Sequence, residues 1–221
     1  MEIIIDRQLK IVAPRLALGA ILAPVEVTKR DPSLWSEIDT RIGAIMASIK
    51  LEAICDLQQI KAIRDAYRSL GKDPSRYRAS QEALFRRILQ GKGLFRINTV
   101  VDINNLVSLE SVHSVGSYDL SQLDFPITFR VGRKGEVYKG IGKERINLEG
   151  LPILADGNGP FGSPTSDSER AMITTNTRQV MILIIAFSGP DGLHTHTHRA
   201  AQLLSRFAKA QSDAVRQLVV D

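Results

Sequence analysis

Apolar side chains recur at helical spacing through the first half of the chain and crowd into short unbroken runs in the second. Trp35, Ile38, Ile42 and Ile45 lie three or four residues apart, the period of one helix face. Asp31-Pro32-Ser33 precedes them, and Ser33 reads as the N-cap. A second set, Ile54, Leu57, Ile60, Ile63 and Tyr67, runs to Gly71 and predicts another helix. Ser80 is expected to cap a third helix through Leu84, Ile88 and Leu89, which Gly91 ends. A fourth follows in "INTVVDINNLVSLES", capped by Asn98 or Thr99, with Thr99-Val-Val-Asp102 resembling a capping box. A last amphipathic helix is expected from about Arg199 to Leu218, its Leu203, Leu204 and Phe207 closing the core.

Strand patterns fill the remainder. A short β segment opens the chain, and "LALGAILAPVEV" reads as a strand with turns. "PITFRVGRKGEVYKGIG" reads as two strands around a turn at Lys134-Gly135, and "LPILAD" and "VMILIIAF" as buried strands. Between those two lies "DGNGPFGSPTSDSERAMITTNT", rich in Gly, Ser, Pro and Thr. Loops of that length inside a compact domain are functional or disordered. With no internal repeat and no linker, the economical prediction is one α+β domain over residues 1–221, a mixed or antiparallel sheet packed by helices.

The fourth helix poses a question. Asn98, Asp102 and Asn105 sit inside an apolar run and fall within about 60° of one another at 100° per residue. Burying amides and a carboxylate without partners is costly. Either they orient a pocket, or they satisfy neighbouring backbone groups and stabilise helix packing.

Charge narrows the class of partner. The chain of 221 residues has a formal net charge of +5. Between Lys61 and Arg96 ten positive residues stand against three negative ones. They include Arg76, Arg78, Arg86, Arg87, Lys92 and Arg96, a cluster suited to a phosphate backbone, although a solvated helix face has the same composition. The longest apolar run, Val180 to Phe187, is too short to span a bilayer, and the start "MEIIIDRQLK" lacks the order of a secretory signal. Cys55 is the single cysteine, which excludes a disulfide framework and a cysteine-based zinc site. A cytoplasmic enzyme or binding protein without a membrane partner is expected.

Other motifs are weaker. "HTHTH" at 194–198 would share one face if it were a strand and suit zinc, or it is an exposed connection; no acidic ligand accompanies it, and no metal is expected. "GNGPFG" lacks the Lys-Ser/Thr ending of a phosphate loop. Ser168 stands among charges without an assignable His-Asp pair. No cofactor is expected.

Several motifs in order resemble the editing domain of the phenylalanyl-tRNA synthetase β subunit, the B3/B4 domain. These are Asn98, Val100, Val101, Asp102 and Asn105, then Tyr118-Asp119-Leu120, then Arg130 and Gly135-Glu136 in "PITFRVGRKGE". "ILAD" and a glycine-rich loop ending before Thr177 and "VMILIIAF" complete the set, so the resemblance covers about residues 80–187.

The resemblance implies a B3/B4-like fold with a helical N-terminal segment. It implies a freestanding protein that hydrolyses the ester of a mischarged tRNA in trans, with the aminoacylated 3′ end as its ligand. It places Glu169 where the family recognises a polar group on the noncognate side chain, and it groups Asn98, Asn105, Glu169, Arg170 and Thr177 around the substrate. The family's histidine before the aromatic-Asp-Leu signature is replaced by Gly116, with His113 three residues earlier as a candidate substitute. The family's arginine before the Asn motif is replaced by Phe95. A non-catalytic nucleic-acid-binding module and an amino-acid-binding pocket protein are the alternatives. The amino acid, the tRNA and the oligomeric state are not encoded in any motif.

Overall fold

The computed structural model describes residues 2–221. The chain opens with strand β1 (Ile3–Ile5), helix α1 (Arg7–Val12) and strand β2 (Ala17–Pro24). Helices α2 (Pro32–Ser48), α3 (Gln58–Ser69), α4 (Ser80–Leu89) and α5 (Thr99–Ser111) follow. Then come β3 (Ser114–Asp119), β4 (Ile127–Val131), β5 (Val137–Lys139), β6 (Arg145–Asn147), β7 (Pro152–Asp156), β8 (Gly159–Gly162) and β9 (Gln179–Ala186). Helix α6 (Leu193–Phe207) and strand β10 (Arg216–Val220) complete the fold. The architecture is α+β, with mixed and antiparallel sheets.

One four-stranded sheet has the order β1-β4-β7-β8, with β1 parallel to β4, and the other has the order β10-β2-β9-β3. Alternation along β2 and β9 explains how the second sheet carries two cores. Leu18, Ala20 and Leu22, with Met181, Leu183 and Ile185, pack against Phe129, Ile153, Leu154 and Phe161 of the first sheet. Ala17, Ile21 and Ala23, with Val180, Ile182 and Ile184, face Leu34 and Ile38 of α2, Val100, Ile103 and Val107 of α5, and Leu203 and Leu204 of α6. A strand buried on both faces needs apolar residues at every position, hence the unbroken run "VMILIIA". Gly19 lets α6 approach, since a Cβ there would lie 2.7 Å from the Thr197 methyl. Among the described residues no helix is long and apolar enough to cross a membrane.

Several elements differ from the sequence expectations, each for a local reason. Helix α2 is capped by Asp31, whose carboxylate accepts the Leu34 N–H at 2.9 Å, and Pro32 occupies the first turn. The set from Ile54 to Tyr67 breaks at the extended Leu57 into a 3-10 turn, Leu51–Asp56, and α3. Ser80 begins α4 without capping it, and its N–H bonds instead to the Pro164 carbonyl at 2.7 Å, a tertiary partner for a group normally met by a cap. Strands β4 and β5 do not pair with each other; β4 joins β1 and β7, and β5 joins β6. The long loop contains β8 and a 3-10 turn at Glu169–Ala171. The last helix starts earlier, at Leu193 after the left-handed Gly192, and ends at Phe207; residues 216–220 form β10 along β2.

Candidate functional site

Helix α5 is buried on nearly every side, which accounts for its polar stripe. Asn98 is the N-cap: its side-chain oxygen accepts the Val101 N–H at 3.0 Å, and its Nδ2 donates to the Ile173 carbonyl at 3.4 Å. Asp102 is fully buried; it accepts the Trp35 indole N–H at 2.7 Å and the Ile97 N–H at 3.3 Å. That second bond reaches one residue beyond the cap, so the arrangement departs from a capping box. Burial pushes the Asp102 carboxyl above its ordinary pKa, against the pull of the Trp35 and Ile97 donors and of Arg96. Asn105 is half-buried on the same stripe and makes none of these contacts. Its neighbour Asn104, which sequence reasoning passed over, is buried with Oδ1 unpartnered among the described residues.

The segment carrying Glu169 is pinned from three sides. Asn98 holds Ile173. Thr177, buried two residues before β9, donates to Asp119 Oδ2 at 2.6 Å and accepts the Thr174 N–H at 3.0 Å. Arg170 forks onto Asp156 at 2.9 and 3.1 Å, donates to the Gln122 and Gly159 carbonyls, and lies over the Phe161 ring. Burial works against the Asp156 charge, and the Arg170 fork with backbone donors outweighs it, so its pKa falls. Glu169 is left half-exposed, paired with Lys139 Nζ at 3.0 Å. Thus Asn98, Arg170 and Thr177 are joined through this segment and already engaged within the protein.

Gly116 is explained by its neighbour. Tyr118, two residues along β3, leans back over the backbone, so a Cβ on Gly116 would lie 2.2 Å from the phenolic oxygen. A Cβ on Gly162 would lie 2.4 Å from the same atom. The hydroxyl donates to Asp167 at 2.8 Å, and Asp167 also accepts the Ser163 N–H at 3.2 Å. Burial raises the Asp167 carboxyl to about 6, although Tyr118 and Ser163 favour its charge. A phenol thus fills the space beside the missing side chain. His113 is 3% exposed, with its ring edge-on to His196 at 6.1 Å between centroids. Burial, and secondarily His196, lowers its pKa to about 4, so it is neutral at pH 7.

The basic cluster divides into two kinds. Glu82, fully buried, binds Arg64 at 2.9 Å, Arg86 at 2.8 Å and Arg78 at 3.4 Å. Those guanidiniums are structural in part, and Arg86 also donates to Cys55 Sγ at 3.2 Å. Arg76, Arg87, Lys92 and Arg96 enter none of the ion pairs formed among the described residues. Three of these four lie over aromatic rings: Arg76 over Tyr77, Arg87 over Phe95 and Arg96 over Trp35. "HTHTH" lies in α6, where alternate residues diverge by 200° and do not share a face. His198 bonds Gln202 there, and His196 meets His113.

A family model described as "B3/4 domain" matches residues 62–210. A phenylalanine--tRNA ligase β subunit of Chromobacterium violaceum is 28% identical over 117 residues, 52% of this chain and 15% of that protein. The chain therefore corresponds to a small part of that relative's length. A solved N-terminal fragment of the phenylalanyl-tRNA synthetase β subunit from Pyrococcus horikoshii matches with a TM-score of 0.50 at 16% identity. That match covers 100% of this chain and 54% of the fragment, and it bears on fold alone.

Proposed function

The chain belongs to the B3/4 domain family, and from that premise we propose that it is an aminoacyl-tRNA deacylase acting in trans on mischarged tRNA. The observation that carries this reading is the half-exposed Glu169, held on a segment that Asn98, Thr177 and Arg170 pin to the start of α5, the end of β3 and the end of β7. Lys139 Nζ, 3.0 Å from Glu169, marks where an ammonium group sits comfortably. The α-ammonium of an esterified amino acid takes that place, or a side-chain hydroxyl donates to the same carboxylate. Asn105 lies on the polar stripe of α5 and serves the same ligand.

Water adds to the ester carbonyl carbon, the bond to the terminal ribose oxygen breaks, and the amino acid leaves as its carboxylate while the ribose hydroxyl is restored. His113 is too buried to touch a substrate in this conformation. The reaction instead relies on a positioned water, amide donors at the developing oxyanion and the vicinal ribose hydroxyl as proton relay. An aminoacyl ester is activated enough for this. The second reading, a non-catalytic RNA-binding module, is favoured by Tyr118 filling the space beside Gly116.

A panel of misacylated tRNAs tests the reading. At least one is expected to release its amino acid, and Glu169→Ala is expected to lower kcat/KM for it about tenfold or more, the scale of one lost charge-assisted hydrogen bond. His113→Gln is expected to retain turnover. An intact ester on every tRNA in the panel removes the deacylase reading and leaves the binding module.

A further inference from the structure

The segment between α4 and α5 presents an unusual surface. Gly91 and Gly93 adopt left-handed φ values of 72° and 58° and turn the chain. Leu94 then packs into the core, and Asn98 is buried as the α5 cap. The three residues between these anchors point outward. Phe95 is 63% exposed, Ile97 is 55% exposed and Arg96 is exposed. A phenylalanine left this open forgoes much of the free energy that burial would give it.

Its surroundings indicate what covers it. The Arg87 guanidinium lies 3.8 Å from the Phe95 ring centroid. Arg87 also donates to the Lys92 carbonyl at 3.2 Å, and its buried Nε has no partner among the described residues. Arg96 lies 4.4 Å over the ring of the buried Trp35, whose indole N–H is fixed at its edge by Asp102. Two guanidinium groups therefore stack over aromatic rings, on elements anchored to the core. None of these cations is matched by a carboxylate ion pair among the described residues. An apolar protein partner would have to desolvate Arg87, Lys92 and Arg96 without compensation. A single-stranded nucleic acid satisfies both parts, since its phosphates neutralise the cations and its bases stack on the ring and guanidinium planes.

We infer that residues 92–97, with Arg87, form a stacking platform for the unpaired bases at the 3′ end of an RNA, the buried Trp35 supporting Arg96 from the core side. Phe95 carries a base on its open face, and Arg96 and Lys92 meet the flanking phosphates. The Asn98–Ile173 hydrogen bond joins this segment to the one bearing Glu169. The inference rests on the RNA-end part of the preceding reading and is independent of hydrolysis.

Fluorescence anisotropy with the full chain tests it, using a 5′-labelled tRNA, the same tRNA lacking its unpaired 3′ nucleotides, and a blunt RNA duplex. Wild type is expected to prefer the intact tRNA. Phe95→Ala is expected to weaken that binding about tenfold, the scale of one lost base stack, with the salt dependence unchanged. Phe95→Trp is expected to retain it, and the blunt duplex to be indifferent to both. An unchanged affinity for Phe95→Ala overturns the platform, as does an equal loss on all three RNAs, or no RNA binding by wild type. If no ester is cleaved but Phe95→Ala still loses the intact tRNA, the deacylase reading falls and the platform stands. If esters are cleaved and Phe95→Ala changes neither binding nor turnover, the platform falls alone.

Discussion

Two buried ionisable residues oppose each other across the same pH range. His113 titrates near 4 in the folded chain against an ordinary 6.5. Between those values the unfolded chain holds the extra proton, so this residue makes stability rise with pH and costs stability as the pH falls. Asp167 titrates near 6 against an ordinary 3.8. There the folded chain holds the extra proton, so this residue makes stability fall as the pH rises from about 4 to about 6. Relative to wild type, His113→Gln is expected to gain stability steadily as the pH drops from about 6.5 to about 4. Asp167→Asn is expected to gain as the pH rises from about 4 to about 6. Thermal melting at close pH intervals reads both trends, and a constant offset from wild type across the window would contradict them.

At the scale of elements, β10 separates local propensity from tertiary pairing. Its residues are mostly exposed, yet each pairs with β2, from Arg216 opposite Leu22 to Val220 opposite Leu18. The strand covers an edge that would otherwise display unpaired backbone groups next to two cores. Deleting residues 212–221 is expected to leave a folded chain with a lower melting temperature. Its tendency to self-associate through the uncovered β2 edge should increase with concentration, as light scattering would show. Unaltered melting and a monodisperse truncated protein would mean that the β2 edge needs no cover.

For the whole molecule, the net charge of +5 is unevenly available. Arg64, Arg78 and Arg86 neutralise the buried Glu82, whereas Lys92 stands exposed and unpaired among the described residues. Lys92→Gln is expected to reduce the salt slope of tRNA binding by about one without altering the melting temperature. Arg86→Gln is expected to act mainly on stability, costing about 1–3 kcal/mol in urea titration, because it strips a donor from a buried carboxylate. Equal effects of both changes on the salt slope would put the two cations in one class.

Periodicity alone established the α2 face and the buried β9 run, since each depends on neighbours within a few positions; it narrowed the α5 cap to Asn98 or Thr99 and found Ile88 of α4 but not the buried Phe85. The order of motifs holding Asn98, Asp119 and Thr177 was also legible in the sequence, as a resemblance to a family. Tertiary structure decided the rest. Partners from distant segments replaced the local ones: Pro164 met the Ser80 N–H, Trp35 met Asp102, and β2 turned the end of an expected helix into β10. No window of sequence shows that Tyr118 lies over Gly116, or that Arg87 stacks on Phe95, because those contacts exist only once strands and helices have packed. Sequence patterns report which face of an element is apolar; which groups meet across the gap is set by packing between residues far apart in the chain.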